Sequence, residues 1–308
     1  MQFIKMIIIL FIVCSSTLAK ENNTRIGVIL FSKQFETAYL GLKDGLTELG
    51  YNPKFFIENI NGNLSLIKGI LESFKKNNVD IVFTTTTPVL KEVKKYNNNY
   101  NFKIVFNEVA DPKELGVLGR NITGVSHEAF ELTPKRVEMA LYCFPKIKHT
   151  YYITYDNPIF KSHIKYFNKV NYLDIKTPST ILGYNELLEK NDFRNNSLII
   201  LAPIPELAKN FKNILAVADK HNIPVIPMDN SFVYKGATLS YSPDFYNIGE
   251  QTALIVCAIL NGVDINLIPY QQPQKISLYI NNYRIKKYNL TINPLCNLLS
   301  EKVVNEKK

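Results

Sequence analysis

No signature of a familiar catalytic apparatus occurs in this sequence. There is no G-x-S-x-G nucleophile turn, no H-E-x-x-H zinc pair, no phosphate-loop glycine run, and no G-x-G-x-x-G after the first apolar segment. The four histidines, His127, His149, His163 and His221, stand at no metal-ligand spacing. No catalytic residue, metal or cofactor is therefore expected. Past the first twenty residues no apolar run approaches the roughly 20 residues that span a bilayer, so the rest reads as a soluble chain. Cysteine is scarce: Cys14, Cys143, Cys257 and Cys296 form no C-x-x-C pair. Cys143 and Cys257 fall inside apolar helical patterns, the setting of buried free thiols, although an oxidising compartment permits one disulfide. Acid is in deficit, with 27 Asp and Glu against 36 Lys and Arg, a net charge of +9. The surplus is scattered lysine beside asparagine, as in "KKYNNNYNFK", with no basic block, arginine-rich arm or zinc-finger spacing. Such charge gives solubility and loose association, and no nucleic-acid partner is expected.

What is present begins with "MQFIKMIIILFIVCSSTLAK". Lys5, the apolar stretch Met6 to Val13 and the small-x-small site Thr17-Leu18-Ala19 have the form of a secretory signal peptide over 1–19. Its uncharged run of about 14 residues is short for a membrane anchor. Export with cleavage after Ala19 is predicted, which removes Lys5 and leaves 35 bases against 27 acids, +8. Cys14 as a lipid-attachment site is the second reading, but Val13 is not the small residue such a site favours before its cysteine.

From residue 25 apolar strands alternate with helical patterns. "RIGVILF", "KFFIENI", "VDIVFTT" and "KIVFNEV" read as strands, with helices between them marked by Tyr39, Leu42, Leu46 and Leu49, by Ile67, Ile70, Leu71 and Phe74, and by Pro88 to Lys95. "NITGVS" (121–126) reads as an extended crossover. In a second series Thr133 and Pro134 cap a helix running through Phe144. "HTYYITY", "STILGY", "SLIILAP" and "IPVIPMD" are strands, with helices at 160–170 and about 205–221. "GATLSY" leads into an apolar helix over 245–261, and "KISLYIN" is a late strand before a charged, frayed tail. Alternation of this kind gives parallel sheets covered on both faces. About 290 residues exceed one comfortable core, and two such series predict two doubly wound α/β lobes.

Ligands of open parallel sheets bind beyond the carboxyl ends of the strands. "IVFTTTTPVL" (81–90) places Thr84 to Thr87 at such an end. Pro88 suits the first helical position, which makes Thr87 the N-cap. The helix N-terminus then offers N–H groups to an anion, with Thr86 as a hydroxyl donor; the plainer reading is a cap and three packed strand residues. Other strand ends carry Ser32 and Phe35, Asp111, Tyr155 with Asp156, Asn157 and Phe160, Asp229, Asn230 and Phe232, and Tyr241 with Asp244. Each aspartate also has a structural reading as a turn former or helix cap. Together they suit a small zwitterion with an apolar or aromatic side chain, walled by Phe35, Tyr155, Phe160 and Phe232.

Five segments carry a family resemblance: "GLKDGLTELGYN", "DIVFTTTTP", "KIVFNEVADPKELGVLGRNITGVS", "NIPVIPMDNSFVYKGATLSYSPDFYNIGEQTALIVCAILNG" and "KISLYINNYRIKKYNLTI". In this order they resemble the bacterial ABC-transporter substrate-binding proteins that include tryptophan- and tyrosine-binding members. The resemblance implies a type I periplasmic-binding-protein fold, two lobes joined by a hinge with ligand held between them. It puts lobe 1 at 24–124 plus about 241–272, lobe 2 at 125–240 plus about 273–296, and a charged tail at 297–308. It implies a periplasmic monomer with a small-molecule ligand, an amino acid or aromatic relative of one, handed to an ABC permease in the membrane. An extracytoplasmic sensor working with a receptor kinase is the alternative output. By position Thr86 and Thr87 match the family's Thr-Pro loop, Asp111 its Asp-Pro, and Asp244 the Asp before its long helix; these residues are expected to hold an anionic and a cationic group respectively. "PIPEL" (203–207) and Ile159-Phe160-Lys161 depart from the family's second-lobe loops, which puts its best-known ligand in doubt.

Overall fold

The structure, a computed structural model, describes residues 24–117, 119–127, 132–155, 179–190 and 192–304. The signal segment with Cys14, the expected helix over 160–170, and Asp156, Asn157 and Phe160 lie outside the described residues. The chain divides into two compact units, Met1–Glu128 with Phe245–Lys275, and Ala129–Asp244 with Ile276–Lys308.

Five parallel strands form the first unit's sheet: β1 (Arg25–Leu30), β2 (Lys54–Asn59), β3 (Ile81–Thr85), β4 (Lys103–Val109) and β5 (Ile122–Ser126), in the order β2-β1-β3-β4-β5. β3 is buried along its whole length because helices cover both faces, which is why it reads as an unbroken apolar run. On one face Val28, Leu30, Phe83 and Val105 pack with Leu42 and Leu46 of the helix Glu36–Glu48 and with Val256 of the helix Phe245–Leu260. On the other, Ile29, Val82, Ile104 and Phe106 meet Leu71 and Phe74 of Ile67–Lys76 and Leu90 and Val93 of Thr87–Asn97. The edge strand β2 keeps Lys54 and Glu58 exposed, which guards it against pairing with another chain.

Glycine fixes how the returning segment docks in this unit. A Cβ on Gly41 would lie 2.0 Å from the Tyr246 carbonyl oxygen, and one on Gly249 would lie 2.2 Å from that of Ala38. The two helices therefore cross backbone to backbone. "NITGVS" is not a bare crossover: it is β5, hydrogen-bonded beside β4, and Gly124 admits the Phe106 carbonyl where a Cβ would sit 2.1 Å away.

The second unit repeats the start of this order. Strands β6 (His149–Thr154), β7 (Ser179–Gly183), β8 (Ser197–Leu201) and β9 (Val225–Ile226) run parallel as β7-β6-β8-β9. A three-stranded sheet adjoins it, with β10 (Leu239–Ser242) antiparallel to β11 (Ser277–Asn281) and β11 parallel to β12 (Ser300–Val304). Thr238 joins the sheets: its N–H donates to Val225, and its hydroxyl accepts from the Val225 N–H.

Four expectations change in this unit. The tail expected to fray supplies β12, because β11 offers it an open edge. Neither Cys143 nor, in the first unit, Cys257 is a free thiol, since no described cysteine is free: Cys143 forms a disulfide with Cys296 across 153 residues of sequence, fastening the helix Pro294–Leu299 to Leu132–Cys143. Thr133 lies inside that second helix rather than capping it. The helix expected over 205–221 is two, Pro205–Lys209 and Phe211–His221, because Asn210 leaves the helical conformation and its amide donates to Glu206 and to the Tyr155 hydroxyl.

Candidate functional site

The order β2-β1-β3-β4-β5 reverses direction between β1 and β3, and the crevice of such a sheet opens at the carboxyl ends of those two strands. Phe31 and Ser32 follow β1 there, and the threonine run follows β3. Each threonine has a separate task. Thr85 accepts the Phe31 N–H at 3.1 Å, tying the two strand ends together. Thr87 accepts the Ala110 N–H at 3.0 Å and so holds the loop beyond β4. Thr84 and Thr86 have buried hydroxyl oxygens with no hydrogen-bond partner among the described residues.

The predicted N-cap is displaced by one residue. The helix begins at Thr87 with Pro88 second, and the capping position is Thr86, whose side chain makes no cap bond. The Thr86 N–H donates to the Asn107 carbonyl, which draws the chain into the helix one residue early. Its backbone stands at φ 72°, ψ 151°, a region essentially reserved for glycine, at a cost of about 1–3 kcal/mol. Pro88 has no N–H, so Thr87 and Val89 supply the amide donors of this first turn.

Nine described non-glycine residues have positive φ, and seven are asparagines in turns, the residue that tolerates this conformation. The other two are Thr86 and Glu108. They sit at the carboxyl ends of neighbouring strands, linked by the Thr86-to-Asn107 hydrogen bond. Glu108 is the extra residue of a bulge: Asn107 pairs with Val125 and Val109 with Ser126. It is 5% exposed.

Aromatic rings continue along the same edge. Phe31 and Phe35 meet edge to face at 6.3 Å, Phe35 stacks on Phe245 at 5.5 Å, and His127, after β5, meets Phe245 edge-on at 5.7 Å. Phe35 and Phe245 are largely buried, and belong to the core that the edge rests on. Ser32 precedes the 3-10 turn Lys33–Phe35 without a side-chain cap. Asp111 accepts the Glu114 N–H at 2.9 Å as a turn former.

In the second unit the order reverses between β6 and β8, so the corresponding crevice lies beyond Thr154 and Leu201. Tyr155 stands there, stacked on Tyr184 at 5.1 Å, its hydroxyl accepting from Asn210 at 3.2 Å. Asp229 caps the 3-10 turn Asn230–Phe232 through the Ser231 N–H. Burial raises its carboxyl, while the Ser231 bonds and the charges of Lys235 and Arg136 pull it partly back. Arg136, 1% exposed, donates to the Pro227 and Met228 carbonyls and to Thr133. Burial lowers it to about 10, so it stays charged at neutral pH. Asp244 accepts from Asn230 at 2.9 Å and from the Tyr279 hydroxyl at 2.8 Å. Burial, then this carboxylate, push the Tyr279 hydroxyl up.

Thr86, Thr87 and Asp111 are thus brought to one edge with Ser32 and Phe35; Asp229 and Asp244 gather around Asn230 in the second unit. Asn157 and Phe160 lie outside the described residues. Glu108, His127, Phe245 and Arg136 were not legible as site residues. Glu108 had one available signal, an acid breaking the apolar run "KIVF" just before a strand end.

Two parallel α/β sheets, each with its switch point at a polar, aromatic carboxyl edge, define a binding protein of the type I periplasmic class. The chain belongs to the ABC transporter substrate binding protein family, whose model matches residues 25–304. Among solved structures it is similar to the ABC domain in complex with L-Trp from Streptococcus pneumonia, with TM-score 0.73, 20% identity, and coverage of 92% of this chain and 100% of that one. A ligand-free, open substrate-binding protein with adhesive properties from Clostridium difficile gives 0.72 at 18% identity, and a conserved domain protein from Vibrio cholerae gives 0.71 at 21%, each with the same coverage. No curated protein sequence matches. Among the described residues no helix is long and apolar enough to cross a membrane.

Proposed function

We propose that this chain is an exported solute-binding protein that captures an amino acid, or an aromatic molecule related to one, and delivers it to an ABC permease as a monomer. Nucleic acid has no part in this reading, and no reaction is performed on the ligand. The observation that carries it is Thr86. A residue in a glycine-only conformation, with a buried hydroxyl that has no partner among the described residues, stands at the switch point of a parallel sheet. Strain kept in such a place is a mark of function. The amide donors of Thr87 and Val89 suit a carboxylate, and the Phe31, Phe35 and Phe245 rings suit an apolar side chain beside it. The L-Trp complex of the streptococcal relative agrees with that chemistry. The Cys143–Cys296 disulfide suits the oxidising space outside the cytoplasm, in this reading the periplasm.

The test is thermal melting of the mature protein against a panel of amino acids, dipeptides, nucleosides and sugars. Ligand at 100 times its Kd stabilises the folded state by about 2.7 kcal/mol. An aromatic amino acid is expected to give the largest rise in Tm. A panel without any shift defeats the reading.

A further inference from the structure

We propose that the helix Pro294–Leu299 and the lysines around it form a surface that docks on an anionic lipid membrane. The proposal goes beyond the solute-binding reading and does not depend on it. Ten large apolar side chains stand exposed among the described residues, and three of them, Leu295, Leu298 and Leu299, share this six-residue helix. Leu298 is 81% exposed and Leu299 58%. Their spacing of three and four residues puts them on one face. Cys296, between them in the chain, is fully buried and bonded to Cys143. The helix therefore cannot roll its leucines inward, because the disulfide already occupies the inner face. Tyr142, next to Cys143 in the chain and 44% exposed, adds an amphipathic ring of the kind that sits at headgroup level.

Charge selects the partner. The positive surplus, scattered along the sequence, is gathered here by the fold. The two segments that the disulfide joins, 132–148 and 282–308, hold ten Lys and Arg against three Glu, +7 of the chain's +9. Arg136 is buried, and Arg284 and Lys287 are engaged by Asp219, which leaves seven lysines against the three glutamates. Lys135, Lys146, Lys148 and Lys286 are exposed. Lys146 shares a surface hollow with Asn289, Leu290 and Thr291, just ahead of the helix. Lysine is depleted in the core of protein interfaces, and three leucines fall far short of the roughly 20–30 residues that a stable one takes from each side. Leucine beside lysine is instead the composition of a contact with a membrane surface, the apolar side chains in the acyl boundary and the ammonium groups at the phosphates.

The test is co-sedimentation of the mature protein with vesicles of phosphatidylglycerol and, separately, of phosphatidylcholine. Binding to phosphatidylglycerol is expected, weakening as salt is raised, with little on phosphatidylcholine. A lysine at an anionic surface is worth about fivefold in affinity, so Lys146→Glu with Lys286→Glu should weaken binding about 25-fold or more. Leu298→Ser with Leu299→Ser is expected to weaken it about 10- to 100-fold. Both leucines stand in water, so the melting temperature should not fall with that change. A parent that ignores phosphatidylglycerol overturns the proposal. So does equal binding to both lipids, or binding that survives the leucine change. If light scattering shows a dimer that Leu298→Ser with Leu299→Ser splits, the helix meets a second copy and the membrane assignment falls. Should the leucine variant fail to fold, the lysine variant decides: undiminished binding overturns the proposal.

Discussion

The two units share a strand order but treat their polar groups in opposite ways. In the second unit the edge groups largely satisfy one another: Tyr155 with Asn210, Asp229 with Ser231, and Asp244 with Asn230 and Tyr279. In the first unit the edge holds two strained residues, and the buried hydroxyls of Thr84 and Thr86 have no described partner. A group already paired gains little when a ligand replaces its partner; an unpaired buried one gains a full hydrogen bond. The first unit is therefore the better prepared to bind. The units also differ in how their returning segments are held, by the Cys143–Cys296 disulfide and an ion cluster in the second and by a glycine-lined helix crossing in the first.

That contrast can be broken at its covalent element. Cys143→Ser with Cys296→Ser is expected to destabilise the second unit by about 2–5 kcal/mol. Denaturant unfolding with hydrogen exchange resolved by peptide should show β11, β12 and the helix Leu132–Cys143 losing protection while β1 to β5 keep theirs. A uniform loss over both units would mean that they do not unfold separately. Next in size is Gly249→Val, which drives a side chain into the Ala38 carbonyl. Overpacking of this kind costs about 1–3 kcal/mol or more, and here the loss should fall on the first unit.

A smaller effect separates two aspartates of the second unit by pH. Asp219 takes an ion pair and a hydrogen bond from Arg284 and Tyr288, and Lys287 lies 2.8 Å away. Burial raises its carboxyl, but the Lys287 and Tyr288 bonds and the Arg284 charge outweigh it, and the net shift is downward. Its contribution is complete above the unfolded carboxylate range and is lost as pH falls through the lowered folded value. Asp229 is raised, so its contribution is present at acid pH and is lost as pH rises through the folded value. Asp219→Asn should therefore flatten the acid limb of the stability profile. Asp229→Asn keeps an acceptor for Ser231 and should stabilise most at neutral pH. Chemical denaturation at several pH values checks both signs.

The alternation of strands and helices was legible because buried parallel strands must be apolar and their helices must carry an apolar stripe. What escaped the sequence depends on distant partners. "SEKVV" is polar enough to read as a tail, and only the open edge of β11 makes it a strand. Nothing in the spacing of the four cysteines says that positions 143 and 296 meet. The break at Asn210 needs Tyr155 to receive its amide. At the site, "TTTTP" announced a strand end and a helix start, but the cap fell one residue early because Asn107, on another strand, takes the Thr86 N–H. The bulge at Glu108 is invisible in "KIVFNEV", since a bulge is a property of two strands rather than of one.

The smallest expected effect tests the contrast most directly, because it should reverse sign between stability and binding. Thr86→Gly removes the clash of a β-branched residue at φ 72°, ψ 151°. The relief of about 1–3 kcal/mol is partly offset by the greater freedom of glycine in the unfolded chain, which leaves a gain of about 1 kcal/mol. The same change deletes a hydroxyl at the switch point. If that hydroxyl serves a ligand, the variant should melt higher than the parent when empty and rise less when L-tryptophan is added. At Tyr155 in the second unit, Tyr155→Phe should do the reverse in the empty protein: it keeps the stack on Tyr184, gives up the Asn210 bond, and lowers stability by about 1 kcal/mol. A Thr86→Gly protein that is less stable than the parent would show that the strained backbone is held for packing, and would remove the distinction between the two edges.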